Sequence, residues 1–290
     1  MRKLFGNLFS RAQGVLRRGT VVTLCSVIVV GAGVAIFYAC NKNDNELGHK
    51  SIPDCDCQDV NYQGILTVAE NHNRYLDEIF ENFDFSSTNP MQELENSIYA
   101  ANLDGLSHDE KAVILEKFQA NDFETTTTDD LINIINQSNI YNNKERVIEL
   151  ITSINENHFD GGMSEINSRI EEIQNTAINE LTSVEDISVV LLYTEVLRKS
   201  AEYWLPAELG GNGFGYNILA TTYKGRKASE GARNAAKVAA ADAGSMAAGF
   251  TVAAFVCAIF PPAGVGTVIA VVAEGAIASA AKGISIAVKK

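Results

Sequence analysis

An all-α fold is predicted by three features of this 290-residue chain. Apolar residues recur at helical spacing from Asn61 to Leu205. No stretch alternates convincingly at period two. The connections are short and rich in Asn, Asp, Gly, Ser and Thr. These features describe a bundle of six or seven helices on one core. An N-terminal signal or anchor helix and a C-terminal apolar helical hairpin flank it. The expected divisions are 1–40 (signal or anchor), 41–60 (polar spacer), 61–208 (acidic helical domain), 209–228 (Gly-rich and basic linker) and 229–290 (apolar hairpin).

The elements follow in order. Ile65, Leu66, Ala69, Leu76, Ile79, Phe80 and Phe83 mark a first long helix, and Met91, Leu94 and Ile98 a shorter one. Ser107-His108-Asp109-Glu110 reads as a capping box, because a hydroxyl and a carboxylate three residues apart can each accept from the other's backbone N–H. It opens the helix of Val113, Ile114 and Phe118. Thr128 or a neighbour caps the next, with Leu131, Ile134 and Ile135, and Val147, Leu150, Ile151 and Ile154 follow. After Gly161-Gly162 comes a regular stripe of Met163, Ile166, Ile170, Ile173, Ala177 and Leu181. Ser183, with Asp186 three residues on, starts a last long helix through Val190, Leu191, Val196, Leu197 and Trp204. The aliphatic stripes are packing positions, since an amphipathic helix must bury such a face.

The two ends are built differently. Ala243 to Ala281 runs 39 residues with a single charge, Glu274, and Pro261-Pro262 forms a turn between arms of 18 and 19 residues. Each arm as a helix spans about 27 Å, close to the roughly 30 Å hydrocarbon core of a bilayer. Phe250, Val252, Phe255, Val256, Ile259, Phe260, Val268, Ile269, Val271 and Val272 are the expected membrane-contacting residues. Small residues such as Gly244, Ala247, Gly249, Gly275 and Ala276 would let the arms approach closely. Opposing insertion, Ala and Gly contribute little transfer energy, and a charged Glu274 near mid-span costs about 3 kcal/mol. Insertion is therefore conditional, and the alternative is a tail that folds back on its own domain. Before it, Gly210, Gly211, Gly213 and Gly215 read as a flexible link, and Lys224, Arg226 and Lys227 as a small basic patch suited to anionic headgroups.

At the other end, Arg2, Lys3, Arg11, Arg17 and Arg18 precede the apolar run Val21–Ala39, the order of an export signal. The run could also span a bilayer as an uncleaved anchor. Phe37-Tyr38-Ala39-Cys40 resembles a bacterial lipobox, and the polar leader Asn41-Lys42-Asn43-Asp44-Asn45-Glu46 resembles those of exported Bacteroidota lipoproteins. That resemblance covers about the first 50 residues and implies lipid attachment at Cys40. Phe37 and Tyr38 are bulkier than the usual pattern. Ser200-Ala201-Glu202-Tyr203-Trp204 ahead of a Gly/Ala tail is similar to a Bacteroidota group of helical envelope proteins with such tails. The similarity implies no activity. On the residues alone, Trp204 anchors bundle packing.

Charge is unevenly placed. Residues 41–228 carry 33 acids against 13 basic residues, while 229–290 carry three acids and five basic residues. An acidic middle repels phosphate backbones, which argues against a nucleic-acid partner. No catalytic or metal signature stands out. His49, His72, His108 and His158 lie in separate segments without ligand spacing. His72 reads as a surface or boundary histidine, with a cleft-facing role as the alternative. Asp54-Cys55-Asp56-Cys57-Gln58-Asp59 is dense in ligands, but Cys-x-Cys alone is not a zinc pattern. Glu171-Glu172 and Asp129-Asp130 are adjacent pairs that point to different sides of a helix. No phosphate loop or nucleophile elbow occurs.

The expected protein is thus a non-enzymatic lipoprotein of a bacterial cell envelope. It takes no cofactor and no metal; its expected partner is membrane lipid, with an envelope protein as a further candidate. The competing expectation is an exported membrane-active effector, bacteriocin-like or pore-forming, whose hairpin inserts into bilayers.

Overall fold

The computed structural model describes residues 60, 62–120, 128–154, 156–222, 228–257 and 266–288. Side chains within these ranges are described except at 117–120, 156, 219–222, 228–232, 250–257, 266–270 and 287–288. The described residues are helical, with no strand among them. Seven α-helices occupy the expected bundle: α1 Tyr62–Glu81, α2 Pro90–Ala100, α3 His108–Ala120, α4 Thr128–Gln137, α5 Lys144–Thr152, α6 Gly162–Glu180 and α7 Val184–Trp204. Three more follow: α8 Phe214–Thr222, α9 Ala228–Cys257 and α10 Gly266–Val288. The expected signal or anchor helix, Cys40, the polar spacer up to residue 59 with its Cys55/Cys57 cluster, and the basic patch Lys224, Arg226 and Lys227 lie outside the described residues.

The helix starts follow local hydrogen-bond chemistry. Glu110 N–H donates to Ser107 Oγ at 3.3 Å and Ser107 N–H donates to Glu110 Oε2 at 2.8 Å, the reciprocal pair of a capping box. Ser107→Ala is expected to lower stability by about 1 kcal/mol. The readout is a lower urea midpoint at unchanged slope. Ser183 caps α7 through Asp186 N–H at 3.1 Å. The Asp186 carboxylate, fully buried, goes elsewhere and accepts from the backbone N–H groups of Asn142 and Asn143. This ties the start of α7 to the start of α5, which Asn143 itself caps. Lys111 of α3 donates to the carbonyls of Tyr99 and Ala101 at the end of α2, where a cation meets the negative end of the helix dipole. Its burial pushes its pKa down.

α7 is the central element. Its middle, Val189-Val190-Leu191-Leu192-Tyr193-Thr194-Glu195-Val196-Leu197, is buried throughout. A helix without a solvent face needs neighbours on every side. α1, α5, α6, α8 and α9 supply them. α9 also packs on α4, and α10 packs on α1, α8 and α9.

The tail is therefore part of the core and does not stand apart as a hairpin. Ala235, Ala236, Val238, Ala239, Ala243, Met246 and Ala247 of α9 are buried, as are Ala273, Ala276, Ile277, Ala280, Ala281 and Ile284 of α10. The small side chains that suit close contact in lipid suit it equally in a protein interior. Val271 and Val272, expected against membrane, are enclosed by the fold. The side chains of Phe250, Val252, Phe255, Val256, Val268 and Ile269 are outside those described, and Ile259, Phe260, Pro261 and Pro262 are outside the described residues altogether. Among the described residues no helix is long and apolar enough to cross a membrane.

The glycine-rich segment also differs from a flexible link. Gly210, at φ 83°, closes the short turn after α7, and Gly211 N–H bonds back to the Pro206 carbonyl at 3.2 Å. α8 then starts at Phe214 and packs on α7 and α10.

Candidate functional site

Four helices bring polar side chains to one buried point. α1 supplies His72, α7 supplies Ser200 and Trp204, α9 supplies Asp242 and α10 supplies Ser279; none of the five is more than 1% exposed. Asp242 Oδ2 is the hub. It accepts from the Ser200 hydroxyl and, at 2.8 Å, from the Ser279 hydroxyl. Trp204 Nε1–H donates to Ser279 Oγ at 3.1 Å, which leaves the Ser279 proton for Asp242. His72 Nε2 stands 3.8 Å from the same carboxylate oxygen.

Close backbone approach makes room for this arrangement. A Cβ at Gly283 of α10 would strike the far edge of the Trp204 ring, and one at Gly215 of α8 would strike its near edge. Glycine at both positions lets two helices lie directly on the indole. Phe80 and Tyr203 pack edge-on against it, with centroids at 6.1 Å and 5.4 Å. The expected packing role of Trp204 is realised.

Burial pushes the Asp242 carboxyl pKa up, opposed first by the neighbouring His72 and then by the three hydrogen-bonding groups around it. His72 Nδ1 lies 3.1 Å from Asn73 Oδ1, and Asn73 Nδ2 donates to the Lys199 carbonyl at 2.7 Å. Because that carbonyl can only accept, Asn73 turns its oxygen to the imidazole. Nδ1 therefore carries a proton. The reading of His72 as a surface or boundary residue is corrected, since its position faces α7, α9 and α10 at once.

A second polar group crosses α1, α6 and α7. Glu195 Oε1, 1% exposed, accepts from Tyr62 at 2.6 Å and from Gln174 Nε2 at 2.8 Å, with Arg198 3.6 Å away. Burial first, then the bond to Glu195, pushes the Tyr62 hydroxyl pKa up.

The sequence reading missed both carboxylates. Asp242 falls just outside the apolar stretch that begins at Ala243, and Glu195 sits within an apolar run. The available signal was a charge inside an apolar helix, which needs a partner.

Chemically, the first group is not a nucleophile relay. In a Ser-His-acid relay the imidazole stands between the other two. Here the carboxylate stands between hydroxyls and imidazole, and the group is shut from solvent. Among the described residues no group of three or more His, Cys, Asp or Glu is placed to hold a metal ion. Searches against protein-family models, curated proteins and solved structures match nothing.

Proposed function

We propose that the chain is an exported, N-terminally anchored helical protein of a bacterial envelope that acts by contact with another envelope component and not by catalysis. The observation that carries this reading is the order of the N-terminal segments. Basic residues, the apolar run Val21–Ala39, Cys40 and a polar spacer all precede the first helix of the domain at Tyr62. The enclosure of the Asp242 and Glu195 groups adds support, because buried polar groups bonded to one another serve cohesion and leave the surface to meet a partner. The packing of α9 and α10 in the core favours this reading over a tail that serves to enter bilayers.

Cys40 is the lipid attachment site in this reading. Wild-type chain is expected to take up a fatty-acid probe in its native host, and Cys40→Ala to lose the label completely. Labelling that persists in the variant refutes attachment at Cys40. An unlabelled wild-type chain that still resists carbonate extraction would identify Val21–Ala39 as an uncleaved anchor.

A further inference from the structure

We propose that His72 and Asp242 form a one-proton latch that holds α9 and α10 in the bundle, and that loss of this proton releases them. The argument starts from the tautomer. With Nδ1 donating to Asn73, a neutral His72 turns a bare Nε2 lone pair toward Asp242 Oδ2, 3.8 Å away. His72 Nε2 and Asp242 Oδ1 are both buried without a hydrogen-bond partner. Lone pair facing carboxylate, with both groups out of water, is an unfavourable arrangement. One proton removes the conflict. On the imidazole it makes an ion pair; on the carboxyl it makes a neutral acid beside a neutral base. Either form leaves the pair with no net charge in the interior.

The rest of the surroundings agree. The groups acting on Asp242 are His72 from α1, Ser200 and Trp204 from α7 and Ser279 from α10, and His72 alone of these is ionisable. On the other elements packed against α9, Asp129 and Asp130 of α4 are exposed, and His158 of the turn Glu156–Phe159 and Glu274 and Lys282 of α10 are half-buried. Arg233 of α9 is exposed and Lys237, also on α9, is exposed. Among the described residues, His72 is the one charged group that acts on the Asp242 carboxyl.

The direction with pH follows from the proton that the facing Nε2 and carboxylate must share, and the raised carboxyl pKa agrees with it. The closed pair holds one proton, which the opened state keeps on a solvated imidazole and releases once pH exceeds the ordinary imidazole value of about 6.5. Closure is therefore most favoured between the ordinary carboxylate and imidazole values and weakens as pH rises above the latter. One proton changes the closed-to-open ratio tenfold per pH unit.

Asp242→Asn supplies the test. Its oxygen can accept from Ser200 and Ser279 as Oδ2 does, and its amide is neutral at every pH, so the variant removes the carboxyl proton from the cycle and leaves His72 as the one ionisable group of the pair. Hydrogen exchange of segments 233–249 and 271–284 in the full chain, compared between wild type and variant at each pH from about 5 to 9, gives the readout. Wild type is expected to lose protection relative to Asp242→Asn, up to tenfold per unit. Superimposable profiles overturn the latch. Wild-type carboxyl and imidazole NMR at about pH 7.5 is independent of how the variant folds. A proton on His72 Nε2 or on Asp242 supports the proposal, and absence of both overturns it.

Discussion

Trp204→Ala is expected to cost about 3–5 kcal/mol, a large part of what holds a domain of this kind together. Trp204 is 0% exposed and contacts α1 through Phe80, α8 through Gly215 and α10 through Gly283 and Ser279. Removing the indole leaves a void. Two of its walls are helix backbone at glycine, which cannot move in as a flexible side chain would. Trp204→Phe keeps most of the ring and loses the bond to Ser279, a net loss of about 1 kcal/mol for the hydrogen bond with a smaller packing term. Urea unfolding of both variants separates these contributions. A loss under about 1 kcal/mol for Trp204→Ala would show that the helices close without the ring.

How much of this was legible in the sequence depends on the distance over which each signal acts. Ser107 with Glu110 and Ser183 with Asp186 are local signals, and both helix starts occur where they point. The stripe Met163, Ile166, Ile170, Ile173, Ala177 and Leu181 is local too, and all are buried except Met163, which is half-buried against the core. Trp204 as an anchor needed only its size and the small residues that follow it. Asp242 and His72 were not legible as a pair, because nothing near either residue in the sequence announces the other. Their meeting is a product of α9 packing beside α1 and α7. The tail shows a different limit. Apolar length and small residues describe both a helix in lipid and a helix in a protein core, and composition does not separate the two solvents. What favours the core is the complementary surface elsewhere: α7 has no polar face in its middle and must be covered.

The same lack of a polar face makes Glu195 the second critical position. A carboxylate in an apolar helix persists only if its lone pairs are occupied, and here Tyr62, Gln174 and Arg198 surround it. Glu195→Ala strands the Tyr62 hydroxyl and removes the counter-charge of Arg198. Breaking a buried pair in this way costs about 3–5 kcal/mol. The Arg198 side chain remains 24% exposed and can turn part of its charge to water, which places the expected loss near 3 kcal/mol. Glu195→Gln keeps an acceptor for Tyr62 and Gln174 and should cost less. A loss for Gln that is small beside the loss for Ala, measured by denaturant unfolding, would show that hydrogen-bond acceptance and packing matter more than charge at this position. Alkaline pH offers an independent check. Because the Tyr62 pKa is raised in the fold, its contribution is intact below the ordinary tyrosine value of about 10 and is lost as pH climbs toward the higher folded value. Tyr62→Phe should therefore be less stable than wild type near neutrality and should lose less stability above about pH 10. Equal alkaline slopes for the two proteins would mean that Tyr62 does not hold its proton against Glu195.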